Sequence, residues 1–171
     1  MVFRIIVILF LLASGVPGFG ERAFAASDVP RVTTPLKAPL PLPYDETADA
    51  QAQLAAALGR AQQNQKFVLI DFGGNWCPDC RILAGTLALG EVKPAIDRTF
   101  EIVMVDVGRL TKNLDIAARY GVDLKAVPTI VILDSTGRRV NSGNPAALSD
   151  ARSMTGQSIV DTIFGWIGKT G

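Results

Sequence analysis

The chain has 171 residues, nearly half of them apolar and 19% charged, enough for one packed domain with extensions. Its formal net charge is +1 with no basic block, so nucleic acid has no electrostatic footprint to follow. Histidine is absent and cysteine occurs twice, which excludes His-containing metal sites, Ser-His and Cys-His nucleophilic pairs, and an all-Cys tetrahedral zinc site within one chain.

The N-terminus opens with Arg4, then runs from Ile5 to Leu12 without a polar residue, and reaches Ala23-Phe24-Ala25. A positive start, a short apolar run and an A-x-A site read as a secretory signal peptide over residues 1–25. A bilayer span needs roughly 18 or more consecutive apolar residues, so an uncleaved anchor is the minor alternative. With the signal removed, no membrane insertion is expected and the remaining charges balance. Residues 26–45 carry Pro30, Pro35, Pro39, Pro41 and Pro43. Proline at that density sustains neither a helix nor an internal strand, so the segment is a linker or a surface arm, docked or free.

Residues 46–171 are expected to form the main domain, with a helix first. Residues 46–64 are rich in Ala, Gln and Leu, with Leu54, Ala57, Leu58 and Ala61 at helical spacing. Residues 67–72 form an apolar strand covered on both faces, broken only by Asp71. Residues 81–89 read as a helix in which Gly85 is a candidate kink and Gly90 a candidate stop. A short helix over 91–98 is interrupted near Pro94. A second strand covers 101–107, and a helix covers 114–120 before Gly121. Pro128 must open the third strand, 129–134, because it lacks a ladder donor. The turn at 135–137 then leads to a fourth, antiparallel edge strand at 138–141. After a loop over 143–156, Ile159, Val160, Ile163, Phe164 and Ile167 mark a final helix. The order implies an α/β domain: a central mixed sheet of about four strands with helices on both faces.

Both cysteines lie in Trp76-Cys77-Pro78-Asp79-Cys80, where the first strand gives way to a helical pattern. A C-x-x-C pair at such a junction suggests a dithiol that opens and closes as a disulfide. A structural disulfide would close a loop too short to constrain the unfolded chain much. A Cu(I)-binding thiolate pair is the other alternative. Haem attachment is excluded because Arg81 stands where the required His would be.

From about residue 66 to 168 the chain resembles the thioredoxin superfamily, in particular the thioredoxin-like domains of periplasmic disulfide reductases. The motifs that carry the likeness are the strand Val68-Leu69-Ile70-Asp71-Phe72, the Trp-Cys-Pro-Asp-Cys site and Val127-Pro128-Thr129. The resemblance implies a thioredoxin-like fold and redox exchange at Cys77 and Cys80, with no cofactor and no metal. Cys77 at a helix N-terminus would be the attacking thiolate, favoured by free N–H groups and the helix dipole. Pro78 fixes the first turn at no hydrogen-bond cost. Cys80 would resolve the mixed disulfide.

Asp71, buried in the strand, would have a raised pKa and accept the Cys80 proton, whereas a strand-end carboxylate facing solvent is the plain alternative. Asp79 would oppose thiolate formation and tune the pair toward reduction. Trp76, Pro78, Val127 and Pro128 would form the substrate surface, with the Val127–Pro128 bond cis by resemblance. The family's lysine near the buried Asp has no counterpart, because Met104 stands in the aligned strand; Gly73-Gly74 opens space beside the site.

The expected function is therefore a periplasmic oxidoreductase that reduces protein disulfides and draws electrons from a membrane thiol reductase. A disulfide oxidase or isomerase is the alternative within the class. Outside it, the fold could serve as a non-catalytic binding or assembly protein.

Overall fold

Three apolar strands build the centre of the molecule, which we describe from a computed structural model covering residues 29–168. The expected signal peptide lies outside the described residues. Strand β1 (Phe67–Gly73) is the middle strand. It pairs in parallel with β2 (Phe100–Asp106), Asp71 beside Met104, and antiparallel with β3 (Thr129–Leu133), Asp71 beside Ile130. β1 and β3 are buried almost throughout, as strands covered on both faces must be.

Alternation along β1 divides the core into two layers. Val68, Ile70 and Phe72 face helix α1 (Ala50–Asn64) and the short helix α4 (Leu114–Arg119), packing with Leu54, Ala57, Ala61 and Ile116. Leu69, with Ile130 and Ile132 of β3, faces helices α2 (Pro78–Leu87), α3 (Lys93–Thr99) and α5 (Gly156–Ile167), packing with Leu83, Ile96, Ile163 and Phe164. Each longer helix has a side-chain cap: Asp49 accepts from Ala52 N–H, Cys77 from Cys80 N–H, and Thr155 from Ser158 N–H. No described helix is long and apolar enough to cross a membrane.

The sheet has three strands, and the fourth expected at 138–141 is reduced to a single bridge between Leu133 and Arg139. The reason is Asn141. Its buried carboxamide accepts from Ile132 N–H at 2.9 Å and donates to Ile130 C=O at 2.8 Å, taking the ladder positions a strand backbone would use. The Pro145 carbonyl accepts from Ile130 N–H at 2.8 Å and finishes the edge. Two helix details also differ from the sequence reading. Pro94 sits in the first turn of α3, where a missing N–H costs nothing, rather than interrupting it. α2 runs unbroken through Gly85, whose bare surface receives the arm: a Cβ there would lie 3.1 Å from Leu36 and 3.4 Å from Leu40.

The proline-rich arm is docked. The Glu91 carboxylate accepts from the N–H groups of Thr33 (3.1 Å) and Thr34 (2.8 Å). Gln157 receives Val32 N–H at 2.8 Å and donates to Pro30 C=O at 3.2 Å. The Arg81 guanidinium donates to the carbonyls of Leu40 (2.7 Å) and Pro41 (3.1 Å). Side chains thus satisfy backbone groups that the prolines keep out of regular structure.

Candidate redox-active site

The chain turns from β1 into α2 through residues 74–77, and this turn carries the sulfur chemistry. Cys77 is the N-cap of α2, with extended backbone; its Sγ accepts from Cys80 N–H at 3.2 Å. Pro78 occupies the first turn of α2 and Cys80 lies deeper in it. The two cysteines are joined as a disulfide with Cα atoms 5.3 Å apart. Both are buried, Cys80 completely. A thiolate formed at Cys77 would keep the Cys80 N–H and the positive end of α2 beside it.

Asp71 is fully buried on the central strand, beside the Tyr44 phenol. Desolvation raises its carboxyl pKa to about 7, opposed by the nearby Tyr44 phenol. Its β2 neighbour is Met104, so the register supplies no cation there. The plain alternative of a solvent-facing strand-end carboxylate is therefore wrong for this residue.

Tyr44 is the site residue that sequence reasoning missed. It ends the arm, is buried, and packs with Cys77, Cys80, Met104 and Val127. Its hydroxyl fills the space opened by Gly73: a Cβ there would collide with that hydroxyl and lie 2.8 Å from Cys80 Sγ. Burial, and then the Asp71 charge, push the phenol pKa strongly upward. The space at Gly74 is taken by Trp76, whose Nε1 would lie 2.6 Å from a Cβ. The glycine doublet was the available signal, but it showed room without naming its occupant.

Asp79 does not stand beside the thiol as an isolated charge. It is buried, and its carboxylate accepts from the Arg152 backbone N–H at 2.8 Å and from the Arg152 guanidinium through Nε and Nη2. That guanidinium, chiefly, holds the Asp79 pKa below the usual carboxylate range. Arg152 lies in a 3-10 turn (Ala151–Ser153), so the pair also ties α2 to the loop before α5.

The outer face is formed by Trp76 and Val127-Pro128. Trp76 is 41% exposed, donates from Nε1 to Gly108 C=O at 2.6 Å, and carries the Arg109 guanidinium 4.8 Å from its ring centre. The Val127 carbonyl oxygen lies 3.8 Å from Cys77 Sγ, and the Val127–Pro128 bond is cis. The structure thus packs Cys77 and Cys80 with Tyr44 and Val127 and puts Pro78 in the first turn of α2, with Trp76 next to Cys77 in the chain and Asp71 beside Tyr44, while Asp79 turns aside to Arg152.

Comparison with known proteins gives the same picture. A thioredoxin-like family model matches residues 49–135. The thiol:disulfide interchange protein TxlA homolog of Synechocystis sp. is 35% identical over 92 residues, 54% of this chain and 48% of the relative. The chain thus spans about half the length of that curated relative. The crystal structure of a disulphide isomerase from Xylella fastidiosa is 37% identical, with a TM-score of 0.70 over 76% of this chain and 99% of the other.

Proposed function

Because the chain belongs to the thioredoxin-like family, we propose that it is a thiol–disulfide oxidoreductase that reduces disulfides in other proteins. One observation carries this reading: a disulfide at a helix N-terminus, with a buried carboxyl group on the adjoining strand that has no cationic partner among the described residues.

In the reduced protein, Cys77 thiolate attacks a substrate disulfide. One substrate sulfur leaves as a thiolate, which takes a proton from water, and a mixed disulfide forms on Cys77. Cys80 then gives its proton to Asp71, attacks Cys77 Sγ and closes the intramolecular disulfide. The second substrate sulfur departs, and two electrons have passed to the substrate. The Val127 carbonyl borders the reacting sulfur and, with the exposed Trp76 next to Cys77 in the chain, forms the surface on which a substrate segment would lie.

The direction follows from charge. An uncompensated carboxyl group behind the dithiol disfavours a second negative charge there, which destabilises the thiolate form and lowers the reduction potential. Asp71 is the carboxyl left to exert this effect as it ionises around pH 7, since Arg152 compensates Asp79. The signal-like residues 1–25 support a periplasmic location. In that oxidising compartment the disulfide needs re-reduction, for which a membrane thiol reductase is the proposed donor.

Insulin reduction in the presence of dithiothreitol tests the activity. Wild-type protein should accelerate precipitation of the insulin B chain and Cys77→Ser should not. Equal inactivity of the two would leave the fold as a binding module. Similarity to the Xylella protein described as a disulphide isomerase favours a second reading, shuffling of wrongly paired disulfides. Reactivation of scrambled ribonuclease would separate it from simple reduction.

A further inference from the structure

Three buried side-chain oxygens have no hydrogen-bond partner among the described residues: both carboxyl oxygens of Asp71 and the hydroxyl of Tyr44. Buried polar groups are nearly always paired, because each one left unpaired forfeits its hydration. These three belong to neighbouring side chains. The phenol is close enough to act on the ionisation of Asp71, though the two stand short of hydrogen-bond geometry in the disulfide form.

The surroundings commit the phenol to this place. Gly73 leaves room for it over β1, and a side chain there would strike both the phenol and Cys80 Sγ. The Tyr44 backbone is fixed from both sides by the Asn75 carboxamide. Arg81, just beyond the second cysteine, holds the preceding carbonyls of Leu40 and Pro41. The two residues that bracket Trp76-Cys77-Pro78-Asp79-Cys80 are both spent on seating the segment that delivers Tyr44.

We propose that Tyr44 is a positioning residue of the redox site, its hydroxyl closing onto Asp71 to hold that carboxyl group beside Cys80. When Asp71 is ionised, the phenol O–H donates to it. When Asp71 carries the proton received from Cys80, the carboxyl O–H donates to the phenol oxygen. The site thereby keeps one hydrogen bond in both protonation states, without the cation that Met104 replaces. The other groups facing the pair are Cys77 at the cap of α2 and Cys80 within it, uncharged Met104 and Val127, and Asp106, whose charge reaches Tyr44 and is itself paired with Lys112. This inference deepens the proposed activity and rests on it for the proton's purpose, but the pairing is measurable without turnover.

The test is a 13C NMR titration of the Asp71 carboxyl carbon in the reduced full chain, where the phenol closes onto it. The wild-type midpoint is expected near 7. Tyr44→Phe keeps the ring and removes the donor, so its midpoint should rise by about one pH unit. Asn75→Ala keeps the phenol but frees its backbone, and should move the midpoint the same way by less. An unchanged midpoint in Tyr44→Phe overturns the proposal. If that variant does not fold, an unchanged midpoint in Asn75→Ala overturns it instead. A protein whose Asp71 follows Tyr44 but which fails to reduce insulin would keep the pairing and lose the proposed activity.

Discussion

The side chain of Asn75 grips Tyr44 by its backbone, accepting from the Tyr44 N–H at 3.1 Å and donating to the Tyr44 carbonyl at 2.8 Å. A residue two positions before the first cysteine thus anchors the end of a segment that the sequence leaves open as a linker or a surface arm. Losing both bonds in Asn75→Ala should cost about 1–3 kcal/mol of stability. Urea unfolding checks the value, and limited proteolysis should show earlier cleavage in residues 29–44. Unchanged cleavage would mean that the arm is held without Asn75.

Gly73 is the other half of the seat. In Gly73→Ala the added methyl meets the Tyr44 ring, with Cζ at 2.6 Å, and Cys80 Sγ at 2.8 Å. Overpacking of this kind should destabilise by about 1–3 kcal/mol. Because the clash is shared with Tyr44, adding Tyr44→Ala should cost less than the sum of the single changes. Additive losses in thermal or urea unfolding would show that the two residues do not contend for the same space.

Asp71 sets a pH dependence whose sign can be worked out. Burial raises its folded pKa from an ordinary 3.8 to about 7. Between those values the folded protein binds more protons than the unfolded chain, so this group's contribution to stability falls as pH rises from about 4 to 7 and is level above. The fall is on the order of 4 kcal/mol. Asp71→Asn should flatten that part of the curve and be relatively more stable at pH 8, while slowing resolution by Cys80. Parallel wild-type and variant curves in urea unfolding at pH 5 and pH 8 would contradict the burial argument.

Arg152 compensates Asp79 from outside the cysteine motif. Arg152→Met keeps the apolar stem and removes the charge. It should raise the Cys77 thiol pKa and lower the reduction potential, because the Asp79 carboxylate then acts on the sulfur unopposed. The pH dependence of Cys77 alkylation in the reduced protein measures the first effect. A downward shift in its midpoint would reverse the assignment.

Much of this was legible in the chain because local pattern and tertiary role agree. The apolar run at 67–72, the helical spacing at 159–167, and the C-x-x-C where the first strand gives way to a helical pattern each fix an element and its burial. Features made by side chains replacing backbone were hidden. Asn141 completes the edge of β3 with a carboxamide, which a strand pattern at 138–141 cannot distinguish from a true strand. Asp79 reads as a bare acid until the fold brings Arg152 to it across 73 positions of sequence. Proline density says what the arm cannot form, and is silent on the Arg81, Glu91 and Gln157 side chains that hold it down. Tyr44 was hidden for the same reason.

The reduction potential of the Cys77–Cys80 pair, measured by equilibration with glutathione, tests the proposed electron flow most directly. A reductant with an uncompensated carboxyl behind its dithiol should lie nearer the value typical of thioredoxin, about −270 mV, than that of a strong periplasmic oxidant, about −120 mV. A potential close to −120 mV would contradict the proposed direction and make the protein a donor of disulfides.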